Sequence, residues 1–235
     1  MRKLDIKGDI ICNEEKWIYD YLEWDGTCPK DITKALEDAN GEDVEVTINS
    51  GGGNVIAGSE IYTQLRNYKG NVNINIIYAA SAASVISMAG KSKITPTGLF
   101  MIHNVSSGAT GDYRDMQHQS EVLKTANKSV ANAYREKTGM SEAKLLDMMD
   151  KETWLSAEDA VKKGFVDEIM FQKNEGLNIY NSTGHMINRD KLQELKQFIN
   201  SKGKKNGNNQ QIAEDNQQEI LMAQLELLKL KGESR

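Results

Sequence analysis

Cysteine is scarce in this chain, and so are histidine, long apolar runs and excess positive charge. The two cysteines, Cys12 and Cys28, have neither metal-ligand spacing nor the density of a disulfide-stapled secreted domain. A reducing cytoplasm suits them, with both thiols reduced. No apolar run approaches the ~20 residues that cross a bilayer, and the N-terminus lacks the basic-then-apolar order of a secretory signal. Lys and Arg number 29 against 34 Asp and Glu, a net charge of −5, so nucleic acid meets no basic field. Neither a metal nor a cofactor is expected. Against these absences, 235 residues at 39% hydrophobic suffice for one sizeable core, with chain left over for a tail.

The most informative stretch is Asn75-Ile-Ile-Tyr-Ala-Ala-Ser81-Ala-Ala-Ser84-Val-Ile-Ser87-Met-Ala-Gly90, followed by Leu99-Phe-Met-Ile-His103-Asn104. An apolar run switching to small residues predicts that Ser81 sits where a buried strand turns into a helix. Such a corner exposes a hydroxyl and aims a helix N-terminus at developing negative charge. The serine needs a base, and His103 follows a second apolar segment whose strand end can deliver it. The other histidines are His118, on a polar helix, and His185, far down the chain, so a histidine base here means His103. Ser84 and Ser87 recur at helical spacing and read as caps or packing residues.

An earlier segment supplies an anion cradle. Val44-Glu-Val-Thr-Ile48-Asn49 alternates as a half-buried strand, Ser50-Gly51-Gly52-Gly53-Asn54 is expected to break it, and Val55-Ile56 opens a helix. Consecutive glycines let the main chain approach a ligand closely, and their N–H groups suit a substrate backbone or an oxyanion. Phosphate is the weaker reading, because the Lys-Ser/Thr ending of a P-loop is absent. Elsewhere strands and helices alternate as in an α/β domain. Helices are predicted over Pro29–Leu36, with Ile32, Ala35, Leu36 and Ala39 along one face, over Val55–Tyr68 with Ile56, Ile61, Tyr62 and Leu65 inward, and over Asp112–Lys137. That last helix carries a thin stripe of Met116, Val122, Leu123, Ala126, Val130 and Ala133. Short helices follow Ser141 and Ser156, whose hydroxyls are N-caps.

Together Ile48-Asn-Ser-Gly-Gly-Gly53, Ala79-Ala-Ser81-Ala-Ala83, Met101-Ile-His103 and Leu155-Ser-Ala157 with Gly164-Phe-Val-Asp167 resemble the proteolytic subunit of the Clp serine peptidases, in order and spacing, over roughly residues 3–170. The resemblance implies an α/β, ClpP/crotonase-like fold of repeated ββα units. It implies Ser81 as nucleophile, His103 as general base and the Gly52 and Ala82 amides as oxyanion hole. Gly51, Gly53 and Asn54 would bind the substrate main chain. Glu152 falls where the cellular enzymes usually have aspartate, with Asp150 as the alternative. The family also implies a ring-shaped homo-oligomer acting on polypeptides, with the Asp112–Lys137 helix at an interface.

Three function classes follow. The near-immediate first strand, the inserted Trp17-Ile-Tyr-Asp-Tyr-Leu-Glu-Trp24, the Glu152-Thr-Trp154 variant and a C-terminal extension look like Clp-related head maturation proteases of tailed bacteriophages. These cut scaffold or capsid protein in the host cytoplasm or procapsid. The alternatives are a cellular chambered peptidase fed by an ATPase unfoldase and a crotonase-type acyl-CoA enzyme. The expected organisation is a peptidase domain over 1–171, a polar segment with a short amphipathic helix over 172–200, and a flexible linker with an apolar tail helix over 201–235. An isolated helix of that length is marginal in water, so the tail is expected to dock on a partner such as capsid or scaffold protein.

Overall fold

The computed structural model describes residues 1–172. Its elements alternate strand and helix as expected. They are β1 (Arg2–Ile10), α1 (Lys16–Tyr21), β2 (Gly26–Thr27), α2 (Pro29–Ala39), β3 (Val44–Gly53), α3 (Val55–Asn67), β4 (Val72–Ala80), α4 (Ala82–Ile86), β5 (Lys91–Ile102), α5 (Tyr113–Thr138), α6 (Glu142–Asp150), β6 (Thr153–Ser156), α7 (Ala157–Lys162) and β7 (Glu168–Ile169). The strands form one sheet in the order β2-β1-β3-β4-β5-β6, with β7 also paired to β5. All pairings are parallel except β5 with β6. The fold is mixed α/β with a central sheet. Apart from Gln172, the expected polar segment, linker and tail helix lie outside the described residues.

The core forms where alternation on the strands meets helical stripes. Ile6, Val46, Ile48, Ile74, Ile76 and Ile94 are buried along the strands, each spaced to one face of the pleat. In α2 the inward residues are Pro29, Ile32, Leu36 and Ala39, as their spacing predicts. In α3 they are Ala57, Gly58, Ile61 and Leu65. Ile56 departs from expectation: it is exposed, because it lies one position off that stripe and faces water.

Two further corrections concern strand and helix extent. β3 does not break at the glycines but runs through them, pairing Asp9 with Gly52 and Ile10 with Gly53 after a register shift. Glycine tolerates the positive φ of +99° at Gly52 and +143° at Gly53 that this continuation requires. α5 is long as predicted, capped by the Asp112 carboxylate, which accepts from the Arg114 and Asp115 N–H groups, and closed by left-handed Gly139. Its stripe is buried only in the C-terminal half, at Val130, Ala131, Ala133 and Tyr134, while Met116 and Val122 are exposed. Among the described residues no helix is long and apolar enough to cross a membrane.

Candidate active site

The parallel pairing of β4 with β5 sets Ala80 beside Met101, so the next residues of both strands emerge together at one end of the sheet. Ser81 follows β4 and His103 follows Ile102 at the end of β5. The Ser81 N–H donates to the Met101 carbonyl at 3.1 Å, locking the corner onto β5. Ser81 Oγ then stands 2.8 Å from His103 Nε2, a hydrogen bond of ordinary length. Both residues are half-buried.

The corner itself is tight. Ser81 has φ 56° and ψ −126°, a conformation that ordinarily belongs to glycine. Small neighbours make room for it. A Cβ on Gly58 of α3 would come within 3.0 Å of Ala82 Cβ, and one on Gly52 within 2.6 Å of Ser81 Cβ and 2.7 Å of the Ala80 oxygen. Ala82 heads α4, and its N–H is among the first-turn donors that lack an acceptor within the helix. Ser81, Ala82, His103, Gly53, Val55 and Tyr134 help line an open cleft with about 470 Å³ of empty space, part of it continuous with solvent.

The glycine segment is brought to Ser81, with the Gly52 amide occupied by a neighbouring hydroxyl. The Gly52 N–H donates to Ser50 Oγ at 3.1 Å, and that hydroxyl donates to the Gly8 carbonyl at 2.6 Å. Gly52 therefore supplies the close approach while its N–H is engaged elsewhere. Asn54 N–H donates to the Ile10 carbonyl at 2.7 Å. Gly53 follows with φ +143° and lines the cleft beside Ser81. β3 pairs with β4 only as far as Ser50 opposite Ala79, which leaves the Gly51–Gly53 edge unpaired on that side. Asn54 is corrected from substrate binder to structural cap. Its Oδ1 accepts from the Ala57 N–H at 2.9 Å, and its Nδ2 donates to Cys12 Sγ at 3.1 Å.

The carboxylate is close in register but turned away. The antiparallel ladder pairs Met101 with Trp154 and Ile102 with Thr153, so its next rung would set His103 opposite Glu152. Instead Glu152 adopts φ 47°, and its Oε1 accepts from the Trp154 indole N–H at 3.1 Å. The Trp154 ring in turn stacks on Tyr78, centroids 6.5 Å apart. Asp150 Oδ1 accepts from Asn104 Nδ2 at 2.8 Å, anchoring the residue after His103. Among the described residues no carboxylate is hydrogen-bonded or ion-paired to His103, so this structure does not join Glu152 or Asp150 to the imidazole. Nor do three or more His, Cys, Asp or Glu gather there where a metal ion could be held.

A serine hydrogen-bonded to a histidine at a strand-to-helix corner, beside a glycine edge, is the equipment of a serine hydrolase. Residues 29–173 match the Clp protease family. The chain belongs to that family. It is 34% identical over 142 residues to the ATP-dependent Clp protease proteolytic subunit 1 of Chlamydia abortus, covering 57% of this chain and 73% of the relative. Against the ATP-dependent Clp protease proteolytic subunit of Deinococcus radiodurans it is 32% identical over 138 residues, or 57% and 68% of the two chains. This Clp-type chain is therefore a serine endopeptidase. The family match contains Ser81, His103 and Glu152, and it begins at Pro29, after α1 and β2.

Two features of this Clp peptidase escaped the sequence reading. Ser84 is buried as a packing residue is, but its hydroxyl also donates to the Ser81 carbonyl, and Asn104 is tied to α6 through Asp150. Ser84 carried a faint signal, a hydroxyl three residues after Ser81 in a segment with no exposed face. Nothing local marked the pairing of Asn104 with a residue forty-six positions away.

Proposed function

We propose that this peptidase cuts peptide bonds by acyl transfer at Ser81, with His103 as general base and then general acid. The observation that carries the reading is the 2.8 Å approach of Ser81 Oγ to His103 Nε2 at the β4–α4 corner. The hydroxyl proton passes to Nε2 as Oγ bonds the peptide carbonyl carbon. The same proton goes to the leaving nitrogen as the C–N bond breaks. Water, deprotonated in turn by His103, then releases the acyl group and restores the serine.

The Ala82 and Gly52 N–H groups are assigned to the oxyanion; Gly52 packs against Ser81 and Ala82, and its N–H would exchange the Ser50 hydroxyl for the substrate oxygen. The unpaired Gly51–Gly53 edge is assigned to the substrate main chain, which it would hold as an added strand with tolerance of sequence. Glu152 is assigned the orienting carboxylate. Its rung opposite His103 supports this, because directly opposed residues in such a ladder sit within side-chain reach, and rotation off Trp154 frees the carboxylate. The test is Ser81→Ala, expected to abolish both hydrolysis of a fluorogenic peptide and labelling by a fluorophosphonate while leaving circular dichroism unchanged. Labelling at the wild-type rate would overturn the assignment.

A ring-shaped homo-oligomer is the proposed assembly, with the exposed N-terminal half of α5 at an interface. For the natural substrate we favour head maturation of a tailed phage, the enzyme cutting capsid or scaffold protein in the host cytoplasm and procapsid. The α1 segment and the turn after it support this reading: they lie ahead of the family-matched span, α1 buries no side chain, and Trp17, Tyr21 and Trp24 face solvent. The second reading, a chambered peptidase fed by an unfoldase, draws on the relatives' description as ATP-dependent. Incubating the enzyme with capsid and scaffold proteins, with and without a Clp ATPase and ATP, separates the two. Cleavage of scaffold without ATPase supports the first, and cleavage only with ATPase supports the second.

A further inference from the structure

Behind Ser81 runs a chain of buried hydroxyls that the acyl-transfer steps do not use. Ser84 and Tyr134 are 0% and 1% exposed. Ser84 Oγ donates to the Ser81 carbonyl oxygen at 2.6 Å, and the Tyr134 hydroxyl lies 2.8 Å from Ser84 Oγ. A serine hydroxyl has one proton to give. Ser84 gives it to the carbonyl, so Tyr134 is the donor in the second bond. Burial pushes the Tyr134 phenol well above its ordinary range, opposed only in part by the Ser84 bond, so the phenol keeps its proton at working pH. The ring is fixed edge-on against Phe165 at 5.7 Å, and Phe165 packs on Phe100 of β5 at 5.5 Å.

The carbonyl at the end of this chain belongs to the Ser81–Ala82 peptide. A trans peptide is planar, and its C=O and N–H point in opposite directions. Holding the carbonyl inward therefore holds the Ala82 N–H outward, toward the cleft that Ala82 lines. The Ser84 and Val85 N–H groups reach the same oxygen at 3.0 and 3.3 Å, as ordinary helix bonds do, and the Ser84 hydroxyl adds a shorter third. An amide whose oxygen accepts hydrogen bonds is polarised and becomes a better donor at nitrogen. The strained Ser81 backbone needs such over-determination, since positions of this kind persist only when their surroundings hold them.

We propose that Tyr134 and Ser84 are positioning residues, whose hydroxyl chain aims and strengthens the Ala82 N–H as an oxyanion donor. The inference rests on the roles of Ser81 and Ala82 proposed above. The donor acts on charge that develops only in the transition state, so its loss falls on kcat rather than KM. Tyr134→Phe keeps the ring and removes the outer hydroxyl; Ser84→Ala removes the inner one.

In the full chain, with a fluorogenic peptide, kcat should fall about 5-fold for Tyr134→Phe and about 10-fold or more for Ser84→Ala. KM should stay within about twofold. Affinity for a peptide boronic acid, whose tetrahedral oxygen occupies the oxyanion position, should fall in step with kcat/KM. Wild-type kcat in either folded variant overturns the proposal, as does a loss that appears in KM with boronate affinity unchanged. If Ser84→Ala does not fold, Tyr134→Phe decides alone. Labelling of Ser81→Ala would instead sink the nucleophile assignment, whereas a dead Ser81→Ala beside a fully active Tyr134→Phe sinks only the relay.

Discussion

The Ser81 side of the site and the Glu152 side are built from different material. Ser81 emerges between two central parallel strands, is locked to Met101, and is backed by Ser84, Tyr134 and Phe165, all buried. Glu152 stands on a left-handed turn before the edge strand β6, exposed, and its carboxylate is held by one indole N–H. The first arrangement is over-determined by packing, so one chain suffices to form it. The second rests on a single exposed hydrogen bond, of the kind worth about 1 kcal/mol net, which a substrate or a neighbouring subunit can outbid. In this Clp peptidase the Ser81–His103 hydrogen bond is pre-formed, and the carboxylate proposed to orient it is adjustable.

The sharpest way to break this comparison is at Glu152. If it orients His103 during turnover, Glu152→Gln keeps the shape, loses the anion and should lower kcat by about 10²–10⁴-fold, as triad-carboxylate losses do. Asp150→Asn should cost far less, because Asp150 holds Asn104 rather than the imidazole. The opposite ranking in steady-state kinetics transfers the role to Asp150.

A smaller effect tests the packed side through pH. Lys137, in the last turn of the helix that carries Tyr134, donates to the Asp167 carboxylate and to the Gly90 carbonyl. Partial burial pushes the Asp167 carboxyl up, but the Lys137 hydrogen bond and charge, together with the Ser92 N–H and hydroxyl, outweigh it and hold the pKa below its ordinary value. A carboxyl depressed in the folded state stabilises fully above its unfolded pKa, and that contribution is lost as pH falls through the folded value. Asp167→Asn should therefore lower Tm at neutral pH and shrink the difference between neutral and strongly acidic conditions. An unchanged acid limb in thermal melts would show that this fastening contributes nothing.

The smallest effect is expected at Trp154. Trp154→Phe keeps a ring on Tyr78 and removes the N–H that holds Glu152. With the competitor gone, kcat should equal the wild-type value or rise by no more than about 2-fold, the scale of one exposed hydrogen bond. A fall in kcat would mean that the indole holds the carboxylate in its productive place.

The legible parts of this site were those dictated by local chain chemistry. An apolar strand running into Ala-Ala-Ser81-Ala-Ala leaves the serine no place but the corner, and a strand ending in Ile102-His103 leaves the imidazole at the same sheet edge. What could not be read depends on hydrogen-bond direction and side-chain rotation. Nothing in the sequence shows that the Gly52 N–H is held by the Ser50 hydroxyl or that the Asn54 N–H is held by the Ile10 carbonyl. The register of Leu155 with β5 put Glu152 on the rung next to His103, while the indole two residues away decided where its oxygens point. The α5 stripe was uniform in sequence, and it divided into buried and exposed halves because the domain packs against only its last turns.

The backbone angles at Ser81 also set the peptidase's evolutionary terms. At φ 56° and ψ −126° the chain favours glycine, and a side chain there costs about 1–3 kcal/mol, while the chemistry proposed for Ser81 demands a hydroxyl. Selection for thermal endurance alone pulls this codon toward glycine, and only selection for turnover holds it at serine. A lineage that kept the fold for another purpose, as a shell component or a binding scaffold, would be expected to shed this residue early. The identity of position 81 is therefore a record, written in one side chain, of whether a descendant of this protein still lives by cutting.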